Sequence, residues 1–170
     1  MTRLAAIVSR VNGLPAWAVD AALASVAVVV MVSEQLTTTP PLGARLPAVA
    51  LTTVIGGSLA FRRRAPVTSY AVGTAALAAD ALWLTPGGLS SLANLLGLYS
   101  VGHFATPRRA LWGPLIMLTG VTAFFAGDET PVPPAVPAGV VFGWLLTWAI
   151  GYAGARGERI SRGRARLGTC

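Results

Sequence analysis

Six stretches of the chain are almost wholly apolar: Ala16–Val32, Leu46–Phe61, Pro66–Thr85, Leu89–Phe104, Ala110–Ala126 and Val136–Tyr152. None alternates apolar and polar residues at period two, so strands are not expected. A helix that crosses a bilayer needs about 17–25 residues, and several of these runs sit at the short limit. Lipid offers backbone groups no water to bond, so runs that span must be helical. The connectors combine helix breakers with polar residues. Glu34–Arg45 holds a Thr-Thr-Thr-Pro-Pro run, Pro86-Gly87-Gly88 makes a tight turn, and Gly127–Pro137 is acidic and proline-rich. The expected fold is all-α, a polytopic bundle of about six transmembrane helices. Residues 1–15 form a cytoplasmic N-terminal segment, 16–153 the membrane domain and 154–170 a basic cytoplasmic tail.

Composition agrees with lipid as the solvent. Hydrophobic residues make up 54% of the chain and charged residues 11%, against about 25% charged in a typical soluble domain. All thirteen basic residues are arginine, which resembles the codon bias of a GC-rich bacterial genome. The net charge of +7 does not mark a nucleic-acid binder, because the arginines fall between apolar runs rather than on one soluble face.

The arginines also set the orientation. Arg3 and Arg10 precede the first run, Arg62, Arg63 and Arg64 lie between the second and third, and Arg108 and Arg109 between the fourth and fifth. Arg156, Arg159, Arg162, Arg164 and Arg166 follow the sixth, so strict alternation over six spans puts twelve of thirteen arginines on one side. The positive-inside rule makes that side the cytoplasm, with both termini there and the plasma membrane as the location. Arg62, Arg63, Arg64, Arg108 and Arg109 read as topology anchors that also attract anionic lipid. The first run lacks a small-x-small cleavage site and reads as an uncleaved anchor.

Candidate chemistry is sparse. Asp20 and Asp80 are ionisable residues inside apolar runs, and such residues are candidates for proton relays or ion sites. Each lies about 7 Å from an interface, at opposite ends, so they are roughly 15 Å apart in depth and cannot share one midplane site. Their plainer reading is an interfacial carboxylate or a helix-end hydrogen bond. Asn94, Tyr99 and His103 lie along the fourth helix. Asn94 is expected to hydrogen-bond a neighbouring helix. His103, the sole histidine, is a proton-switch candidate because imidazole changes charge near neutrality, set against a plain interfacial role. Gly139, Gly143, Thr147 and Gly151 recur every fourth residue, a row where another helix can approach closely. That row serves either a homodimer seam or packing within the monomer. One cysteine, Cys170, permits no internal disulfide, and no metal spacing, P-loop, GxSxG or HExxH motif occurs. No catalytic, cofactor-binding or metal residues are expected.

Phe61-Arg62-Arg63-Arg64-Ala65-Pro66, Leu98-Tyr99-Ser100-Val101 and Thr106-Pro107-Arg108-Arg109-Ala110, together with Asp20, resemble the N-terminal membrane region of actinobacterial sensor histidine kinases of the nitrate-sensor-like class. The resemblance covers roughly residues 15–160. It implies a two-component input domain followed by a dimerisation helix pair with a phospho-accepting histidine and an ATP-binding domain. The eighteen residues after Tyr152 contain no histidine, and Glu158-Arg159-Ile160 is not followed by a phosphoacceptor motif. His103, which precedes a membrane run, does not correspond to that histidine. The expectation is therefore a sensor or anchor module without its kinase core, not itself an enzyme. Its partners would be the lipid bilayer, a second copy of itself and a cytoplasmic signalling protein. Gly157, Gly163 and Gly168 are expected to interrupt a continuous signalling helix. The alternative is a small transporter or channel, with Pro114 and Gly56-Gly57 as helix breaks. A membrane enzyme acting on lipids would need a catalytic cluster that the sequence lacks.

Overall fold

Where the apolar runs lie, the chain is helical. A computed structural model describes residues 15–37, 43–84, 88–126 and 132–167. Arg3 and Arg10, the Thr-Pro-Pro connector, the Pro86-Gly87 turn, Asp128, Glu129 and Cys170 lie outside the described residues, as do the side chains of Arg162, Arg164 and Arg166. The elements are α1 (Ala16–Thr37), α2 (Arg45–Ser58, continued by a 3-10 turn Leu59–Phe61), α3 (Pro66–Trp83), α4 (Gly88–Phe104), α5 (Pro107–Ala126) and α6 (Ala135–Leu167). No strand occurs among the described residues. Pro66 and Pro107 each stand in the first helical turn, where a missing N–H has no intrahelical partner to lose.

α3 packs on α2, α4 and α5, while α6 lies mainly along α4. Two apolar clusters fill the interior. Ala24, Met31, Ile55, Leu59, Ala76, Leu77 and Ala93 join α1 to α4. Tyr70, Leu98, Val101, Ala105, Ala110, Met117 and Val121 join α3, α4 and α5, with Trp144, Trp148 and Tyr152 of α6 packed against them. The outside is more apolar than a soluble surface allows: Val26, Val29, Leu46, Leu92, Phe142 and Ile150 all face outward. Trp17, Trp83 and Trp112 are exposed near helix ends, the level at which membrane proteins place aromatic belts. Conversely Ser69, Thr74, Ser90, Asn94 and Ser100 are buried in α3 and α4.

Three helices among the described residues are long and apolar enough to cross a membrane: Ala16–Thr37, Pro107–Ala126 and Ala135–Ser161. The segment Arg45–Phe61 is apolar but shorter. The protein is thus an all-helical membrane protein.

Two expectations about helix breaks are corrected. α6 does not stop after Tyr152 or at the glycines; it passes through Gly157 and Gly163 to Leu167, 33 residues in all. Gly56 and Gly57 lie inside α2 rather than breaking it. A Cβ on Gly56 would stand 3.1 Å from the backbone N of Val28, so the glycine lets α1 and α2 approach closely. Pro114 does perturb α5, which is interrupted at Leu111 between its Pro107–Ala110 turn and Trp112–Ala126. Lacking an N–H, Pro114 leaves the Ala110 carbonyl without its usual helical donor. The Trp148 indole Nε1 of α6 donates to that oxygen at 3.0 Å.

Candidate functional site: the arginine-bearing end of the bundle

The arginines of the α2–α3 corner, the α4–α5 turn and α6 converge on one end of the bundle, and Asp20 from α1 meets them there. Asp20 is 2% exposed. Its Oδ1 accepts from Arg62 Nε at 2.9 Å and pairs with Arg62 Nη2 at 2.8 Å. Arg63 Nε stands 2.9 Å from Oδ2 and donates to Oδ1 at 3.1 Å. A carboxylate taken out of water needs such partners, since an uncompensated buried charge costs several kcal/mol. Two arginines read from sequence as topology anchors therefore also clamp the start of α1 to the α2–α3 corner. A further bond fixes the same corner: the Ser69 hydroxyl donates to the Ser58 carbonyl.

From Arg63 the contacts run on to α4 and α6. The Arg63 guanidinium lies 5.3 Å from the centroid of the Phe104 ring, a cation–π geometry. Phe104 meets His103 edge to face at 4.7 Å, and His103 stacks on Tyr99 at 5.7 Å. His103 Nε2 is 3.8 Å from Glu158 Oε1 on α6, an ion pair when the imidazole is protonated. Arg159 Nη2 donates to the Ala105 carbonyl at 3.2 Å. That bond satisfies a carbonyl just past the C-terminal end of α4 and sets a cation beside the negative end of its dipole.

The α4–α6 crossing beneath this cluster depends on two glycines. A Cβ on Gly102 would stand 2.5 Å from the Trp148 carbonyl, and one on Gly151 would stand 2.5 Å from the Tyr99 carbonyl. Each glycine thus faces the other helix's backbone. The four-residue row on α6 is therefore not one continuous seam. Gly151 is locked against α4, Thr147 bonds to the Gly143 carbonyl within its own helix, and Gly139 and Gly143 have open space where a Cβ would project.

The other end holds different groups. Glu34 of α1 accepts from the backbone N–H of Gly88 at 3.0 Å and of Leu89 at 3.2 Å. A carboxylate thus caps the start of α4, where orphan donors and the helix dipole favour it. The sequence marked Glu34 only as a loop charge. Asp80 is fully buried in α3, and neither carboxylate oxygen has a hydrogen-bond partner among the described residues. Asn94 accepts from Thr74 across α3 and α4 at 3.1 Å, while its Nδ2 has no partner among the described residues. Asp20 and Asp80 thus belong to separate environments, and Asn94 joins neither. No group of three metal-ligating side chains occurs among the described residues.

The arrangement can couple mechanically: one buried carboxylate and a chain of rings and cations tie α1, the α2–α3 corner, α4 and α6 together. Neither the curated proteins nor the solved structures contain a match to the chain. A family model described as a domain of unknown function, DUF7134, matches residues 11–162. This chain belongs to that family, and α1 to α5, the arginine-bearing junction and α6 up to residue 162 fall within its matched span.

Proposed function

We propose that the chain is a membrane input module of a signalling system, resembling the sensor region of nitrate-sensor-like histidine kinases. In this reading all six helices cross the plasma membrane, and the arginine-bearing end and both termini face the cytoplasm. The observation that carries it is α6. This helix runs without a break from its apolar span through Gly157 to Leu167, and it is held to α4 by Gly151 and Arg159. A helix of 33 residues is about 50 Å long at 1.5 Å per residue, so it reaches well past a hydrocarbon core of about 30 Å. A shift of α6 against α4 at the Gly102–Gly151 crossing would move the emerging helix and alter a cytoplasmic partner. The module itself performs no catalysis; ATP binding and phosphotransfer belong to that partner. A second copy is assigned to the outer half of α6, where Gly139 and Gly143 face open space.

The test joins residues 1–167 in helical register to the dimerisation helices of a histidine kinase. Seven residues inserted at the junction nearly preserve the helical face, whereas two turn it to the opposite side, at about 100° per residue. Kinase output that survives the seven-residue insertion and changes with the two-residue one supports the module. Output insensitive to both sinks it.

A transporter or channel is favoured by a different observation, the fully buried Asp80 with both oxygens unpartnered among the described residues. An isolated ionised carboxylate there would be very costly, so a proton or cation at Asp80 would suit the site. Isotope flux into proteoliposomes that Asp80→Asn abolishes would establish this reading, and absence of flux would remove it.

A further inference from the structure

A cleft opens between the α2–α3 corner and the α4–α5 turn, beside the Arg63–Phe104 contact of the coupling network. Its volume is about 280 Å³, and Arg63, Arg64 and Arg109 line it together with Thr68, Phe104 and Thr106. Arg64 and Arg109 are exposed and make no ion pair among the described residues. Arg63 is oriented by Asp20 from one side and Phe104 from another. The clamp of Arg62, Arg63 and Asp20 carries one net positive charge, so with Arg64 and Arg109 the cleft and its wall carry about three, counted at full ionisation. No acidic side chain lines the cleft. The first turn of α3 also opens onto it: Pro66, Val67 and Thr68 line it, and Ala65 supplies no side-chain cap.

We infer that this cleft binds one phosphate-bearing anion, the headgroup of an anionic phospholipid. Arginine suits the task because its planar fork donates two parallel hydrogen bonds to phosphate oxygens. The location selects the lipid as the source. The cleft lies at the end of α3 and α4 that holds the arginines; the proposed six-span topology, on which the lipid assignment rests, sets that end at the level where headgroups begin. This site goes beyond the orienting role of the arginines, because it predicts one saturable ligand per chain rather than a diffuse attraction. It does not depend on whether the module senses or transports.

The test uses the full chain, purified in neutral detergent, with thermal unfolding followed as lipid is added. Phosphatidylglycerol should raise the unfolding temperature saturably, with one lipid retained per chain in native mass spectrometry; phosphatidylcholine should not. Each surface arginine facing phosphate is worth about fivefold in affinity, so R64Q/R109Q should weaken binding about thirtyfold. The control R108Q/R156Q, two exposed arginines that do not line this cleft, should leave it within about twofold. Both double variants change exposed side chains, and the unfolding temperature without lipid verifies that each is folded. Glycerol phosphate that competes at millimolar concentration, or that alone reproduces the shift, would reassign the site to a soluble phosphate and overturn the lipid assignment. Equal weakening by both double variants, or no saturable shift, would overturn the site itself.

Discussion

Removing the charge of Asp20 should unfasten the start of α1. Asp20→Asn keeps the side-chain shape and leaves Arg62, whose side chain is 11% exposed, without its counter-charge. Breaking a buried pair by removing one partner costs about 3–5 kcal/mol. Arg63 is more open, at 38%, and contributes as a surface pair does, about 0–1 kcal/mol. Water reaches this end of the bundle through Arg63, so the lower end of the buried range applies, about 3 kcal/mol for Asp20→Asn. Arg62→Gln should cost about 2 kcal/mol, because Arg63 still compensates Asp20, and Arg63→Gln less than about 1 kcal/mol. The double variant Asp20→Asn/Arg62→Gln should be no worse than Asp20→Asn alone, a coupling of about 2 kcal/mol. Equilibrium unfolding in mixed micelles, driven by a denaturing detergent, measures all four. Single costs that simply add in the double variant, or an Asp20→Asn cost below about 0.5 kcal/mol, would refute the buried clamp.

Three further sets of variants probe the other junctions. Gly151→Ala forces a Cβ against the Tyr99 carbonyl and should cost about 1–3 kcal/mol, whereas Gly143→Ala, with open space around it, should be neutral or stabilising by up to about 1 kcal/mol; equal effects in the same unfolding assay would contradict the crossing described for α4 and α6. Trp148→Phe strands the Ala110 carbonyl and should cost about 1–3 kcal/mol, and Pro114→Ala in that background should recover part of the loss by restoring a backbone donor; a second mutation that gives no recovery argues against the indole's role. Glu34→Ala removes the acceptors for Gly88 and Leu89 and should cost about 1 kcal/mol, read most directly as faster amide exchange in the first turn of α4 with the rest of that helix unchanged.

Hydropathy located the helices because the membrane-facing positions are so uniformly apolar. The run Pro66–Thr85 corresponds to α3 at Pro66–Trp83, and Leu89–Phe104 to α4 at Gly88–Phe104. The ends of α1 and α6 were harder to place, since both helices continue as polar residues begin. α6 tolerates Gly157 and Gly163, each costing about 1 kcal/mol in a helix interior, because Ala155 is buried and Arg159 is bonded to the end of α4. Those contacts come from residues about fifty positions away, and no local pattern shows them. The pairing of Asp20 with Arg62 spans 42 positions. A sequence signal for it existed, a lone carboxylate one turn inside the end where the arginines gather, but it gave no partner. Gly151 was visible as part of a small-residue row; its counterpart Gly102 was not, because α4 carries no matching row around it. The bond from Trp148 to Ala110 needed two facts together, a proline four residues after a carbonyl and a tryptophan on the facing helix.

The most direct test concerns the arginine-bearing end, which the account places in the cytoplasm together with the emerging α6. Single cysteines at Gly43, Ala65, Thr106, Pro133 and Ser161, in a Cys170→Ser background, can be challenged with a membrane-impermeant maleimide in intact cells. The account predicts that Gly43→Cys and Pro133→Cys react at once, while Ala65→Cys, Thr106→Cys and Ser161→Cys react only after the cells are permeabilised. Labelling of any of those three in intact cells, or protection of either of the first two, would contradict it.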